Sequence, residues 1–414
     1  GKLLFIEAKA LQESKQRGDA DKVQMFNLGD ASLLLLRQLK AQFPELEKPK
    51  DVVAEFFTSP QTVILKGIQF KPGKASDSYL NLWQGHTIEP IKGDWTIIRE
   101  FYLNVICNSD EKLFEYFINF HAHMLQKPEE KPGVAIVMVS GQGSGKGHEA
   151  KIQNKIWSTS FLQVHDINEI IGQFNASLEL NYVVFIDEGI FAGNKRDADK
   201  LKSLVTEPII QINEKHLPSR SSLSCHRIFI ASNHDHTMHA EKDDRRYVLF
   251  RVSDRYQGDF EYWAKLNHAI NNGAVAAMVF DLLKLDISGF NPRNKPHTAE
   301  LTAQKLHSLD LIPGFWYDCL YRGGIERDDD WPDFIGTNKA IDYIAEFAGR
   351  SLYKKPDSRE FNRVMRQLCP SAKTKQISKK LNKIRGLALP DLQTARAEFA
   401  QYLRAEIQWD DPDT

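Results

Sequence analysis

A glycine-rich segment at residues 140–147 has the residue types and the spacing needed to bind phosphate. Its sequence is Ser-Gly-Gln-Gly-Ser-Gly-Lys-Gly, and it directly follows an apolar run at 134–139. Glycines let successive backbone N–H groups turn toward an anion, and Lys146 adds a positive charge for the outer phosphates of a nucleotide. The apolar run predicts a buried parallel strand, and a helix after the loop would direct its N-terminus toward the same phosphates. The segment therefore predicts a Walker A loop that binds ATP.

The predicted nucleotide contacts lie in this loop and at the start of its helix. They are Gly141, Gln142, Gly143, Ser144, Gly145, Lys146, Gly147 and His148. Two positions depart from the usual pattern, because Ser140 replaces the first glycine and Gly147 replaces a serine or threonine. That missing hydroxyl normally binds Mg²⁺, so we expect the metal to keep more of its water ligands than usual.

Two carboxylates follow a second apolar run, at residues 182–186. Asp187 and Glu188 would therefore lie at the carboxyl end of a buried strand, at the edge of an open α/β sheet that faces a ligand. We expect Asp187 to hold Mg²⁺, and we expect Glu188 to orient and deprotonate the water that attacks the nucleotide. The alternative interpretation is a strand that simply ends in acidic loop residues.

Three further segments add polar residues to the predicted site. Asn233 ends a third predicted buried strand that starts at residue 227, and its amide could help to position the lytic water. Arg245 and Arg246 precede a fourth apolar run, and we expect this pair to face phosphate. Residues 208–222 predict a hairpin, with Lys215 and His216 at or near its tip.

The overall composition limits the kinds of partner that the chain can bind. The 414 residues carry a formal net charge of −1, so nucleic-acid binding must come from local clusters of charge or from a ring of subunits. The four cysteines are far apart and show no paired metal-ligand spacing, which suggests free thiols in a reducing compartment. We find no signal peptide and no apolar run of transmembrane length, so we expect a cytoplasmic protein that does not contact membranes.

The chain is predicted to form an α/β fold with three segments. Residues 1–130 are expected to be a mostly helical domain, and within it residues 1–43 indicate helix. Residues 131–255 hold the loop and the four predicted strands, which indicate a P-loop nucleoside-triphosphatase (NTPase) core with a parallel sheet between helices. Residues 256–414 are expected to be a helical domain, and a winged-helix fold is one of its predicted forms.

The end of this third segment is locally basic. Residues 336–349, 358–369 and 374–384 predict three short helices of a helix-turn-helix or winged-helix unit. Lysines and one arginine cluster within residues 373–385. A solvated helix face and a contact with nucleic acid remain open alternatives for this cluster.

The order of these features resembles that of superfamily-3 helicases of the AAA+ type. It is most similar to the helicase half of viral and phage primase–helicase proteins, closely so over residues 134–252. The resemblance implies ATP and Mg²⁺ as cofactors, single-stranded DNA as a partner, and a homo-oligomeric, hexameric ring. It also implies an upstream primase-polymerase domain in the full-length protein, and a place in the host cytoplasm if a phage encodes it.

The same resemblance implies a role for each candidate residue. Lys146 would bind the β- and γ-phosphates, and Asp187 and Glu188 would be the metal-binding and the basic carboxylate. Asn233 resembles the sensor 1 residue, and Lys215 with His216 resembles the DNA-gripping tip of the hairpin. Arg245 or Arg246 resembles the arginine finger that reaches into the next subunit.

Two other functions remain open from the sequence. Residues 143–147, Gly-Ser-Gly-Lys-Gly, also resemble the loop of nucleotide monophosphate kinases, in which glycine follows the lysine. Those kinases carry this loop near the N-terminus and have an arginine-rich lid, which differs from the arrangement here. The other alternative is a DNA-loading ring that does not hydrolyse ATP because Gly147 supplies no hydroxyl.

Overall fold

A computed structural model of the chain describes most of its residues. The described residues are 5–6, 25–26, 28–62, 65–73, 77–188, 195–215, 219–233, 246–296, 298–326, 330–349, 355–379 and 382–409. They lie in two compact units. The first unit lies within residues 1–189, 199–233 and 251–294, and the second lies within residues 190–198, 234–250 and 295–414. The domain boundaries predicted at residues 130 and 255 stay predictions.

The described strands are short, as is usual for an α/β protein. In chain order they are β1 Phe5–Ile6, β2 Met25–Phe26, β3 Gly67–Gln69, β4 Tyr79–Asn81, β5 Ala135–Val139, β6 Phe161–Val164, β7 Val183–Asp187, β8 Ile209–Ile212, β9 Arg220–Leu223, β10 Arg227–Ser232, β11 Tyr247–Arg251, β12 Phe334–Gly336, β13 Lys373–Lys379 and β14 Asn382–Ala388.

The described α-helices alternate with groups of these strands in the sequence. In chain order they are α1 Leu28–Gln42, α2 Pro49–Thr58, α3 Thr96–Phe101, α4 Glu111–Gln126, α5 Lys146–Ile156, α6 Asn168–Ile171, α7 Lys195–Thr206, α8 Phe260–Asn271, α9 Ala274–Leu282, α10 Ala299–His307, α11 Leu311–Arg322, α12 Thr337–Ala348, α13 Ser358–Leu368 and α14 Leu392–Leu403. A π-helical turn, Tyr102–Ile106, continues α3.

The central sheet has five strands in the order β11-β5-β10-β7-β6. Strand β10 pairs in parallel with both β5 and β7, and β6 pairs in parallel with β7. Every residue of β5 and β10 is buried, which explains why β5 and the centre of β10, residues 228–231, are apolar in the sequence. The predicted α/β fold with a parallel sheet between helices is therefore confirmed.

The register of the sheet fixes which residues meet at its carboxyl edge. Ser232 of β10 pairs with Val139 of β5, and Ala231 of β10 pairs with Asp187 of β7. Asn233 is the first residue after β10. It therefore lies between the loop that follows β5 and the two carboxylates at the end of β7. The backbone N–H of Ser140 donates to the carbonyl of Ser232 at 3.2 Å, which ties the start of the loop to β10.

The helix predicted for the N-terminal part of the chain is described only in part. Residues 1–43 were expected to be mostly helix, and of these Leu28–Gln42 form α1, whereas β1 pairs antiparallel with β2. Residues 1–4, 7–24 and 27 lie outside the described residues. Two-residue strands leave no periodic pattern in the sequence, so β1 and β2 could not be predicted from local patterns. Among the described residues, no helix is long and apolar enough to cross a membrane.

The second unit contains a helix-turn-helix arrangement completed by a β-sheet. Helices α11, α12 and α13 share one hydrophobic core with β12, β14 and α14. The strands form an antiparallel sheet in the order β12-β14-β13, and β13 and β14 form a hairpin. The succession of helix, strand, two helices and hairpin is winged-helix-like, as the sequence suggested.

The helix predicted at residues 374–384 is wrong, because residues 374–379 lie in β13 and residues 382–384 lie in β14. The physical reason is a long-range pairing, since β14 also pairs with β12 and brings Gly386 against Gly336. A Cβ atom on Gly386 would lie 2.0 Å from the carbonyl oxygen of Ile335, so only glycine allows this approach.

Candidate nucleotide-binding site

The loop between β5 and α5 depends on two glycines with positive φ. Gly143 has φ +80° and Gly145 has φ +101°, a backbone conformation that side chains with a Cβ rarely adopt. A Cβ atom on Gly145 would also lie 2.5 Å from Cη2 of Trp263 and 3.2 Å from Cε2 of Phe101. The loop is therefore held in its curved shape both by backbone preference and by aromatic side chains that pack against it.

Lys146 directs its ammonium group into this loop. Its Nζ donates to the carbonyls of Ser140 and Gly141, at 3.0 Å each, and to Oγ of Ser140 at 2.8 Å. Burial lowers the pKa of Lys146 to about 8, while the negative charges of Asp187 and Glu188 act in the opposite direction. The amine is therefore mostly protonated at neutral pH, and it lies where the outer phosphates of a nucleotide would bind.

The two predicted carboxylates lie at the end of β7, as expected. Oδ2 of Asp187 accepts a hydrogen bond from Nε2 of Gln163 at 3.0 Å, and Nδ1 of His165 lies 3.8 Å from the same oxygen. Glu188 is exposed and has φ +60°, which is unusual for a residue other than glycine. Such a conformation costs about 1–3 kcal/mol and persists only where the surrounding structure supports it.

Asn233 contacts one of these carboxylates directly. Its Nδ2 donates to Oε1 of Glu188 at 3.3 Å, across the edge between β10 and β7. The structure therefore brings Lys146, Asp187, Glu188 and Asn233 to one edge of the sheet. These four described side chains supply a cation, two carboxylates and an amide, which together can bind phosphate and orient a water molecule.

The same residues fit a magnesium ion in a nucleotide complex. Mg²⁺ prefers oxygen ligands and is usually bound through one or two carboxylates together with phosphates and water. Asp187 and Glu188 supply such oxygens, whereas Gly147 supplies none. In the part of the chain that the structure describes, no group of three or more His, Cys, Asp or Glu side chains forms a metal site that is independent of a nucleotide.

Some residues at this edge were not predicted from the sequence. Gln163 and His165 reach Asp187 from the end of β6. In the sequence they alternate with the apolar residues Leu162 and Val164, and this alternation could have predicted a strand that presents them on one face. Trp263 stacks on His148 with ring centroids 4.6 Å apart, and Nε2 of Gln257 donates to the carbonyl of Gln142 at 2.7 Å. Trp263 and Gln257 follow the core in sequence, and no local pattern connects them with the loop.

The predicted nucleotide contact His148 is partly covered by Trp263. Burial lowers the pKa of His148 to about 4, with a further contribution from the charge of Lys151. The imidazole is therefore neutral at physiological pH and carries no charge toward a phosphate. Its packing against Trp263 makes it a support for the loop.

A buried carboxylate anchors the helix that follows the loop. Glu149 is fully buried in α5 and accepts hydrogen bonds from Nε2 of His121 at 2.9 Å and from Nε2 of Gln153 at 2.7 Å. His121 lies on α4, and its Nδ1 contacts the carbonyl of Phe117 at 2.7 Å. A buried carboxylate is tolerated only when it is hydrogen-bonded, so these contacts link α5 firmly to α4.

The remaining predicted residues lie outside this cluster or outside the described residues. Strands β8 and β9 form the predicted hairpin, and Lys215 is exposed in the segment that connects them. Arg246 is half-buried at the start of β11. His216 and Arg245 lie outside the described residues.

The chain resembles known proteins both in sequence and in fold. Residues 138–246 match the model of a family of unknown function (DUF5906). Over 223 residues the chain is 26% identical to a DNA primase-polymerase of Nitratiruptor phage NrS-1, and the match covers 51% of this chain and 30% of that protein. The predicted resemblance to phage primase-polymerase proteins is confirmed.

The similarity in fold extends over most of the chain. The apo structure of the NrS-1 C-terminal region matches with a TM-score of 0.65 at 17% identity, over 89% of this chain and 92% of that chain. A second apo structure of the same region, the A form, matches with a TM-score of 0.65 at 18% identity. The sequence match spans less than a third of the curated relative, so these similarities establish the fold and the relationship.

Proposed function

We propose that this chain is the ATP-hydrolysing motor of a DNA helicase of the superfamily-3 type, from the C-terminal part of a phage primase–helicase. The observation that carries the proposal is the cluster at the sheet edge. Lys146 lies inside the glycine-rich loop, and Asn233 contacts Glu188 at 3.3 Å beside Asp187. A phosphate-binding cation next to a metal-binding and a basic carboxylate is what hydrolysis of ATP requires.

Each residue of the cluster has a distinct role in this proposal. Lys146 binds the outer phosphates of ATP, and Asp187 holds Mg²⁺. When bound, Mg²⁺ neutralises part of the charge that develops on the phosphates during cleavage. Glu188 accepts a proton from the attacking water, and the hydrogen bond from Nδ2 of Asn233 orients the Glu188 carboxylate for that transfer.

The coupling of hydrolysis to DNA rests on the hairpin and on assembly. Lys215 is exposed in the β8–β9 connection, where it can reach the backbone of single-stranded DNA together with His216. One such cation on a chain of net charge −1 binds DNA weakly, whereas a hexameric ring brings several to one channel. In that ring, Arg245 or Arg246 of one subunit acts on the nucleotide bound to the next.

The test compares two carboxylate variants of the full chain. Glu188→Gln should bind ATP but cleave it at least about a hundredfold more slowly, since a general base contributes on the order of 10²–10⁴ in rate. Asp187→Asn should weaken ATP binding that depends on Mg²⁺. Phosphate release and equilibrium nucleotide binding are measured with and without single-stranded DNA.

A matched control uses a carboxylate outside the cluster. Glu169 is exposed in α6, so Glu169→Gln should leave both binding and hydrolysis unchanged. Full hydrolysis by Glu188→Gln would refute the assignment of the base. Phosphate transfer that requires a nucleotide acceptor would instead identify a kinase, and ATP binding without any hydrolysis would identify a non-hydrolysing ring.

A further inference from the structure

Helix α13 has two faces with opposite character. Phe361, Met365 and Leu368 are at most 2% exposed and pack into the core of the second unit. Arg359, Arg363 and Arg366 are exposed, and their spacing of four and three residues aligns them on the opposite face of the helix. The backbone N–H of Arg359 donates to Oδ1 of Asp357 at 2.8 Å, but within the described part of the chain none of the three guanidinium groups has a hydrogen-bond or ion-pair partner.

The same face carries amides on either side of the arginines. Gln367 is exposed beside Arg363 and Arg366, and Asn362 is half-buried beside Arg359 and Arg366. Nδ2 of Asn362 donates to the carbonyl of Ser358 at 2.6 Å, whereas its Oδ1 is buried without a partner. Arginine and glutamine are among the side chains that form paired hydrogen bonds with guanine and adenine in the major groove, so Gln367 and the arginines can read bases, whereas the amide of Asn362 is held within the helix.

The β13–β14 hairpin, which directly follows α13 in the sequence, also carries basic side chains. Lys373, Lys375, Lys383 and Arg385 are all exposed. Residues 358–388 contain nine Lys or Arg residues and one acidic residue, Glu360, so this 31-residue segment carries a net charge of +8. The whole chain has a net charge of −1, so the concentration of positive charge here is local.

We propose that α13 and the β13–β14 hairpin form a binding site for duplex DNA, separate from the single-strand contact at Lys215. An α-helix about 10–12 Å across fits the major groove of B-DNA, which is about 12 Å wide. In helix-turn-helix proteins the second helix of the pair occupies that groove, and here α13 follows α12 in that position. The arginine face of α13 meets base edges and phosphates, and the hairpin lysines bind the adjacent backbone.

The experiment measures binding of the full chain to a fluorescein-labelled 20-base-pair duplex by anisotropy, without nucleotide and with excess unlabelled oligo-dT. The triple variant Arg359→Ala, Arg363→Ala, Arg366→Ala should lose about tenfold or more in affinity for the duplex. Its plot of log affinity against log salt should become shallower by about 0.9 for each phosphate contact that is lost. Because no ATP is present, the result is independent of the proposed hydrolysis.

A control of equal charge distinguishes this surface from general electrostatics. Lys40, Lys48 and Lys50 are exposed in or next to α1 and α2, so changing these three to Ala removes the same charge elsewhere. This control should bind the duplex as the unmodified chain does. Glu360→Ala, on the same helix, should bind at least as tightly as the unmodified chain.

A second variant tests the hairpin without changing α13. Lys373→Ala with Lys375→Ala should weaken binding to all duplex sequences alike and reduce the salt slope by about two. A double-stranded RNA of the same sequence should bind more weakly, because the major groove of A-form RNA is too narrow for a helix. Unchanged duplex binding in both variants, an equal loss in the lysine control, or equal binding of duplex RNA would each overturn the proposal.

Discussion

The replacement of Gly145 by Ala is a small change that should be strongly destabilising. Gly145 has φ +101°, and an added Cβ would lie 2.5 Å from Cη2 and 2.9 Å from Cζ3 of Trp263. Trp263 cannot easily move aside, because its Nε1 donates to the carbonyl of Tyr256 at 2.9 Å and its ring stacks on His148. The substitution therefore meets both a backbone cost and a steric cost.

The two costs can be estimated separately. A left-handed backbone conformation costs a residue with a Cβ about 1–2 kcal/mol. Forcing an extra methyl group into a packed site costs about 1–3 kcal/mol. The free energy of unfolding of Gly145→Ala should therefore be lower by about 2–5 kcal/mol, and its affinity for ATP should fall because the loop is displaced.

The control lies two residues away in the same loop. Gly147 is in the first turn of α5, and an added Cβ would have no heavy atom within 4 Å. Gly147→Ala should therefore keep or gain stability, by up to about 0.5–1 kcal/mol, since glycine is unfavourable in a helix. Urea unfolding followed by circular dichroism measures both variants under the same conditions.

A second substitution separates the steric cost from the backbone cost. In a Trp263→Ala background, Gly145→Ala should destabilise by only about 1–2 kcal/mol, which is the backbone part. If Gly145→Ala unfolds at the same urea concentration as the unmodified chain, the loop geometry described here is incorrect. If the Trp263→Ala background leaves the loss undiminished, the aromatic contact is not its cause.

Three shorter predictions concern other residues of the proposed motor. Burial lowers the pKa of Lys146 to about 8, so its positive charge is present below pH 8 and lost above it. The affinity for ATP, measured in a binding titration, should therefore fall between pH 7 and 9, and Lys146→Arg should show no such fall. Glu188 has φ +60°, so Glu188→Gly should unfold at no lower temperature than Glu188→Gln, although glycine elsewhere costs about 0.5–1 kcal/mol. Lys215→Ala should bring the ratio of hydrolysis rates with and without single-stranded DNA close to one, and an unchanged ratio would contradict the role of the hairpin tip.

Much of the core could be predicted because buried parallel strands are encoded locally. The centres of strands β5, β7, β10 and β11 are apolar, and polar residues follow where the strands reach the ligand edge. The loop was equally clear, since glycines and a lysine at fixed spacing serve one kind of chemistry. These features require no knowledge of distant partners in the chain.

Other features depend on pairings that no local pattern records. The position of β10 between β5 and β7, which brings Asn233 to Glu188, follows from the sheet order and not from the order of the chain. Trp263 reaches the loop from α8, and Gln163 reaches Asp187 from β6, for the same reason. Part of the β13–β14 hairpin was predicted as helix. The sheet to which this hairpin belongs is completed by β12, which lies far upstream in the sequence.

The pairing of β10 with both neighbours also limits how this protein can vary in length. Phe229, Ile230 and Ala231 of β10 are each matched to one residue on β5 and to one on β7. A shift of one residue would turn Asn233 to the other face. One deletion within β7 or β10 would therefore separate Asn233 from Glu188 while leaving all of the site residues in the sequence. Insertions in the surface connections carry no such penalty. Among related proteins, gains and losses of residues should therefore accumulate in the connections, and the lengths of these two strands should stay constant.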